Sequence, residues 1–268
     1  MKNKFVALGA VYNGDNSKFL KDCLQSISVQ TLSIPIIMVV NGPIKKTLKD
    51  VLDQYDFLQI KFIYLEKNLG LALALQTGIE YAKDKFEYVI RFDADDINIA
   101  NRFEILTNFM LKNKIDLASS YMHEIDENNK IFSSRKVPIS YKKIKKILPY
   151  RCPINHPAAA FKIDSVLSSG GYKNLPLFED YYLWMRMAKK GFKVNNIDKY
   201  LVKFRATDDM VYRRFGFSYM LKEMNFYIRC INEKLHNPIF LFTGYLLRTF
   251  VKLFGFRFYK SIFYLIRK

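Results

Sequence analysis

The run Arg91-Phe92-Asp93-Ala94-Asp95-Asp96 ends an apolar stretch, Tyr88 to Phe92, with two carboxylates separated by one small residue. At the end of a strand alternate side chains point to one side, so Asp93 and Asp95 converge while Ala94 stays clear. Such a pair suits a hard divalent cation, Mg²⁺ or Mn²⁺, which takes oxygen ligands, keeps several waters and shares its remaining positions with a ligand's phosphates. The same residues also fit a polar turn that leads into a helix near Ala100, capped by Asp96 or Asn98. A second acidic pair, Glu179-Asp180, stands at the first turn of a predicted helix, where the dipole favours the ionised form.

The elements that must position these residues follow from the apolar pattern. Phe5 to Val11, Pro35 to Val40, Lys61 to Leu65 and Tyr88 to Phe92 read as strands. Ser17 to Val29, Lys45 to Gln54, Leu69 to Lys83 and Asn101 to Lys112 read as the helices between them. That alternation predicts βαβ units and a mostly parallel central sheet flanked by helices. A fifth strand, Asp116 to Tyr121, precedes a hairpin over Glu124 to Lys136, a polar helix over Tyr141 to Ile147 and an apolar stretch over Ala158 to Phe161. A helix over Glu179 to Lys190 and a strand over Tyr200 to Phe204 complete the pattern. In an open parallel sheet the ligand binds beyond the carboxyl ends of the strands. Tyr12, Asn41 and Asp93 to Asp96 all follow a predicted strand and share that rim. No Gly-x-Gly-x-x-Gly and no Gly-Lys-Ser/Thr follows any strand, which argues against a dinucleotide fold and a P-loop.

Half of the 268 residues are apolar, enough for a full-sized core. The formal charge of +18 draws in polyanions without specifying which. Cys23, Cys152 and Cys230 lie far apart with no CxxC and read as free thiols of a reducing compartment. The N-terminal apolar run is short and passes into Tyr12-Asn13-Gly14-Asp15 with no small-residue cleavage site, so it reads as a buried strand rather than a signal peptide.

Five motifs occur in order: Val11-Tyr12-Asn13-Gly14; Asn68-Leu69-Gly70-Leu71-Ala72; Arg91 to Asp96; Gly170-Gly171-Tyr172; and Glu179-Asp180-Tyr181-Tyr182-Leu183-Trp184. Over residues 5 to 215 this combination resembles family 2 glycosyltransferases of the GT-A (Rossmann-like) fold. The resemblance implies transfer of one sugar, with inversion, from a nucleotide-diphosphate donor, a UDP-sugar foremost, to a hydroxyl of a lipid-linked or surface glycan, as in capsule, lipooligosaccharide or O-antigen synthesis. It assigns Asp180 as general base and Tyr12, Asn13, Asn41, Asn68, Arg91, Asp93, Asp95 and Glu179 to the nucleotide sugar. Asp95 and Asp93 would hold Mn²⁺ or Mg²⁺, with His156 as a further candidate ligand or a structural or acceptor-side residue. Where many relatives carry an acid after the second strand, this chain has Asn41, which can still donate and accept to a base. Relatives that use a later His as metal ligand have no counterpart in Phe204-Arg205-Ala206-Thr207-Asp208-Asp209. Arg205, Arg213 and Arg214 are candidates to steady the leaving diphosphate. The Gln-x-x-Arg-Trp signature of processive synthases is absent.

Lys234, Arg248, Lys252, Arg257, Lys260, Arg267 and Lys268 are interleaved with Phe, Leu and Tyr in a C-terminal segment without a single acid. Its longest uncharged run, Leu235 to Leu247, is too short to span a bilayer. After Gly255 a helix would gather Arg257, Lys260, Arg267 and Lys268 on one side and Phe258, Tyr259, Ile262, Leu265 and Ile266 on the other. That pattern fits a helix in a membrane interface, or one packed on the catalytic domain. The expected organisation is a catalytic domain over 1–215 and an amphipathic extension over 216–268. The expected place is the inner face of a bacterial cytoplasmic membrane, with no nucleic acid among the partners. Competing readings are a sugar-nucleotide pyrophosphorylase, which lacks its Gly-rich loop here, and a basic nucleic-acid-binding protein.

Overall fold

A computed structural model describes residues 4–265, the side chains of Asp208 and Asp209 excepted. The first half alternates as β1 (Phe5–Val11), α1 (Ser17–Ser28), β2 (Ile36–Asn41), α2 (Lys46–Gln54), β3 (Lys61–Leu65), α3 (Leu71–Ala82) and β4 (Tyr88–Arg91). Then come β5 (Ile97–Asn98), α4 (Arg102–Asn113), β6 (Leu117–Ile125), β7 (Ile131–Arg135), α5 (Tyr141–Ile147), β8 (Ala160–Lys162), α6 (Ile163–Ser168), α7 (Glu179–Lys189) and β9 (Val194–Arg205). Four helices finish the chain: α8 (Asp208–Tyr212), α9 (Phe217–Asn232), α10 (Pro238–Leu253) and α11 (Phe256–Leu265).

The strands form one sheet in the order β3-β2-β1-β4-β8-β6-β9-β5, with β7 added to β6. From β3 to β4 every pairing is parallel, as the βαβ pattern predicts. β8 then enters antiparallel to both β4 and β6, so the second half of the sheet is mixed. Along β1 the side chains alternate between two apolar layers, as period-two geometry requires. Phe5 and Ala7 pack with Leu20 and Leu24 of α1 and Phe103 of α4, whereas Val6 and Leu8 pack with Leu75 of α3 and Trp184 of α7. Trp184 is therefore a core residue.

Two departures from the sequence reading have local causes. The apolar stretch from Ala158 shortens to β8 because His156–Ala158 form a single tight turn with Pro157 near its start. The strand expected to begin at Tyr200 begins at Val194, where the polar Asn196 donates its buried Nδ2 to the carbonyls of Pro138 (2.6 Å) and Pro153 (2.9 Å). Short β5 and α6 carry too few residues for a periodic signal.

The C-terminal helices pack on the body. Tyr219, Phe226, Tyr227 and Cys230 of α9 share one apolar cluster with Phe178 and with Tyr181, Tyr182 and Met185 of α7. At Gly244 of α10 a Cβ would lie 2.3 Å from the Pro149 carbonyl oxygen, so only glycine lets α10 approach the turn after α5 this closely. Buried Glu223 accepts from both Arg248 and Lys252, which removes two cations from the solvent-facing set. Tyr259, on the apolar side of α11, is buried against Met210, Val211 and Phe215, the packed one of the two arrangements expected for that helix. Ile266, Arg267 and Lys268 lie outside the described residues. Among the described residues no helix is long and apolar enough to cross a membrane.

Candidate active site

β4 delivers Arg91 and the residues after it to the carboxyl rim between β1 and β8. Arg91 is 1% exposed, and its Nη2 donates to Asp93. Its Nε and Nη1 make no hydrogen bond among the described residues. Oxygens of Asp93, Asp95 and Asp96 lie within 4.8 Å of one another. The segment is held from behind: buried Arg102 donates to the Arg91 carbonyl (2.5 Å) and to the Pro157 carbonyl (3.0 Å). Arg205 donates its main-chain N–H to Asp96 Oδ1 (2.8 Å) and its Nε to the Asp95 carbonyl (3.0 Å). The rest of the Arg205 guanidinium reaches the Asp126 carbonyl, Asn129 and Asp22 and lies over the Phe19 ring. Arg205 is a brace of the acidic loop, engaged on all sides and unavailable to a diphosphate.

The acids raise one another. Burial, and then the charge of Asp93, push the Asp95 carboxyl up to about 6. Burial and the same neighbours push Asp96 well above the carboxylate range. One Asp96 oxygen makes no hydrogen bond among the described residues. Buried carboxylates that crowd in this way are stabilised by a cation. Their hard oxygen donors fit a divalent ion.

A fourth acid belongs to the same rim. Asp15, which the sequence reading did not single out, accepts the Tyr12 N–H (2.9 Å), and burial plus the charges of Asp95 and Asp93 push its carboxyl up to about 7. Its only sequence signal is a carboxylate in the loop after β1, on the rim shared with Asp93. In that loop a Cβ on Gly14 would lie 2.4 Å from the Tyr12 ring, so Gly14 lets the ring lie across the turn. Tyr12 remains 43% exposed, and Asn13 is exposed beside it.

Asn41 is turned inward. It is 5% exposed, its Nδ2 donates to Asn68 Oδ1 (3.0 Å) and its Oδ1 accepts the Leu69 N–H (2.9 Å). These bonds make Asn41 a brace between the loops after β2 and β3. Asn68 itself is exposed and accepts the Gly70 N–H (2.9 Å) at the start of α3.

The second acidic group sits at the start of α7. Burial, and then Asp180, push Glu179 up to about 7, and burial raises Asp180. The Tyr181 N–H and the guanidinium groups of Arg91, Arg214 and Arg135 pull Asp180 back down. Arg214, a candidate diphosphate ligand in the sequence, therefore acts on the side of the site that holds Asp180. His156 is absent from the acidic cluster among the described residues. Its Nε2 pairs with the Tyr172 hydroxyl (2.8 Å), and its Nδ1 stands 4.0 Å from Asp180 Oδ2. Burial, then Arg91, hold its pKa well below the usual histidine value, so the ring is neutral.

Residues 10–171, more than half of the chain, match the family model for glycosyl transferase family 2. The chain belongs to that family. The acidic cluster lies within the matched segment, and Glu179 and Asp180 lie just beyond it. This glycosyltransferase is 38% identical over 225 residues, 82% of its own chain and 81% of the relative, to an Escherichia coli UDP-Gal:alpha-D-GlcNAc-diphosphoundecaprenol beta-1,3-galactosyltransferase. It is 34% identical over 226 residues to the amylovoran biosynthesis glycosyltransferase AmsE of Erwinia amylovora, covering 83% of this chain and 84% of that one. Its fold matches a Pyrobaculum calidifontis mannosyltransferase solved with GDP-Man and Mn²⁺, with a TM-score of 0.64 at 14% identity over 95% of this chain and 76% of that one. S. aureus TarS 1–349 with UDP-GlcNAc gives 0.64 at 16% identity, over 85% and 67% of the two chains. The GT-A fold follows. The family match replaces the pyrophosphorylase reading.

Proposed function

We propose that this glycosyltransferase moves one hexose, with inversion, from a UDP-sugar to a hydroxyl of an N-acetylglucosamine diphospholipid. The acceptor class is the one named for the 38% identical relative, and a second relative, 28% identical over 183 residues, is named for UDP-Glc on the same lipid. The observation that carries the mechanism is a division of the site's carboxylates into two groups. Asp93, Asp95 and Asp96 crowd together, Glu179 and Asp180 form a second group, and the field of Arg91 reaches both.

On the donor side Asp93 and Asp95 would hold Mn²⁺ or Mg²⁺, which when bound neutralises charge on the departing diphosphate as a Lewis acid. The exposed Tyr12 ring offers a face to the base, with Asn13 beside it. Arg91 fixes Asp93, and its buried guanidinium supplies positive charge to this side of the site. On the acceptor side Asp180 removes the proton from the attacking hydroxyl as it bonds to the anomeric carbon, opposite the leaving diphosphate. Glu179 contributes to the polar wall there.

The same reading extends to a lipid surface at the cytoplasmic side of a membrane. Phe217, Leu221 and Ile228 of α9 and Phe242, Leu246 and Phe250 of α10 are large, apolar and exposed. Exposed apolar side chains of this size mark an interaction surface, and together with exposed Lys222, Arg229 and Arg257 they suit an anionic bilayer. Exposed Phe258 and Leu265 of α11 add to these residues. Flotation with vesicles containing anionic lipid tests it: Leu246→Glu with Phe250→Glu should abolish co-flotation, and unchanged flotation would refute it.

The deciding experiment for the function offers UDP-Gal, UDP-Glc, UDP-GlcNAc and GDP-Man to a synthetic GlcNAc-diphospholipid with Mn²⁺. Addition of one hexose from one UDP-sugar supports the proposal. Transfer from GDP-Man alone, or none from any donor, would overturn it.

A further inference from the structure

We infer that His156 is a positioning residue for Asp180: its Nδ1–H presents a donor to the Asp180 carboxylate, and Tyr172 selects that tautomer by donating its hydroxyl to Nε2. The inference rests on the reading of Asp180 as the base.

The backbone under His156 is fixed from three sides. Asn155 donates its main-chain N–H to Ser119 Oγ (3.0 Å) and its side-chain Nδ2 to the Ser120 carbonyl (2.8 Å). Pro157 lends its carbonyl to Arg102 (3.0 Å), and the Ala159 carbonyl accepts the Arg91 N–H (2.9 Å). The ring is 9% exposed and wedged between Tyr172 and Trp184, with centroids 5.7 and 6.0 Å away.

Tyr172 is held in turn. Its N–H donates to Gln76 Oε1 (2.8 Å), and Arg186 of α7 donates to the carbonyls of Gly171 (2.7 Å) and Ser169. Gly171 has φ +61, and a Cβ there would lie 2.2 Å from Gln76 Oε1, so this turn demands glycine. A chain therefore runs from Gln76 through Tyr172 and His156 to Asp180, while Arg186 ties the turn to the helix that carries Asp180.

The tautomer follows from the neighbours. Burial keeps the Tyr172 phenol protonated and the His156 ring neutral. A neutral imidazole has one N–H and one lone pair. With Asp180 ionised, a lone pair at Nδ1 would face a carboxylate, whereas an N–H there faces an acceptor. The electrostatically consistent arrangement puts the proton on Nδ1 and lets Tyr172 donate to Nε2. The 4.0 Å gap to Oδ2 is longer than a hydrogen bond, and contacts of this kind commonly close only when substrate binds. The other charged or titratable groups facing Asp180 are Arg91, Arg135, Arg214, Glu179 and Cys152. The three arginines attract the carboxylate from other elements; His156 supplies a single directional donor from an immobilised turn.

¹⁵N NMR of the full chain tests this, because its 3 histidines keep the imidazole spectrum simple. At pH 7 His156 should be neutral with its proton on Nδ1. In His156→Gln the Asp180 carboxyl, followed by ¹³C, should titrate about one unit higher. Its kcat for transfer from UDP-Gal to a GlcNAc-diphospholipid should fall about tenfold, with the donor KM unchanged. His156→Asn, which keeps an N–H near the Nδ1 position, should recover most of that loss. An Nε2–H tautomer, or an Asp180 titration indifferent to His156→Gln, would overturn the inference. If Asp180→Asn is inactive while the His156 variants are normal, the positioning role alone falls; if Asp180→Asn turns over normally, the base assignment falls and takes the positioning role with it.

Discussion

Both groups of carboxylates in the site are partly withdrawn from water, Asp96 fully so, but they are compensated differently. On the donor side Asp15, Asp93, Asp95 and Asp96 repel one another, and among the described residues the Arg91 guanidinium hydrogen-bonds only to Asp93. On the acceptor side Asp180 is raised by burial yet pulled back by the Tyr181 N–H and three arginines. The first arrangement leaves negative charge in excess and suits a cation. The second sets a backbone donor and three guanidinium groups against the burial of one carboxylate, which suits a base. Burial alone would not have separated the two roles; the neighbours do.

The sharpest way to break this division is to remove each side in turn. Asp180→Asn keeps shape and donor binding but removes the base, so kcat should fall about 10³-fold while the donor KM stays within a factor of two. A similar loss accompanied by a large rise in donor KM would erase the distinction. Asp95→Ala should reduce turnover about 10²-fold or more and remove the dependence on added Mn²⁺. Persistence of a steep Mn²⁺ dependence in that variant would move the ion elsewhere.

Legibility in the sequence followed the same division. The strands and helices up to Arg91 were readable because apolar periodicity there is uninterrupted, and the acidic run stood out because Asp93 and Asp95 bracket a small residue. Asp15 was hidden, since a single acid in a Gly-Asn turn has an ordinary local explanation and its crowding by Asp93 is a long-range fact. The inward turn of Asn41 and the engagement of Arg205 were hidden for the opposite reason. Each has the right chemistry for a ligand, but tertiary contacts take up its hydrogen bonds. His156 could be read as functional from its residue type, whereas its partner, Asp180 rather than the acidic run, required the fold that brings the turn before β8 to the start of α7.

The pH dependence of stability sharpens the comparison further. Glu179 and Asp15 each titrate near 7 in the folded protein, above the ordinary carboxylate values of 4.5 and 3.8. The folded state then holds more protons than the unfolded one between about pH 4 and 7, so stability falls as pH rises through that window. Without metal, the melting temperature should therefore drop from pH 5 to pH 8. Glu179→Gln and Asp15→Asn should each flatten that slope, and Mn²⁺ should offset only the donor-side part. A slope of opposite sign would contradict the burial of these acids. The smallest expected effect is at Arg205: Arg205→Lys keeps the charge but loses the multidentate brace, and should lower the melting temperature by a few degrees while leaving donor KM within about threefold. A donor KM raised tenfold or more would return Arg205 to the ligand.

The central claim is that donor and base functions are divided between the two acidic groups. It is tested most directly by calorimetric titration of UDP with and without Mn²⁺ on the wild type, Asp95→Ala and Asp180→Asn. The account predicts Mn²⁺-dependent binding that is lost in Asp95→Ala and kept within about twofold in Asp180→Asn. Equal loss in both variants, or full Mn²⁺-dependent binding in Asp95→Ala, would contradict it.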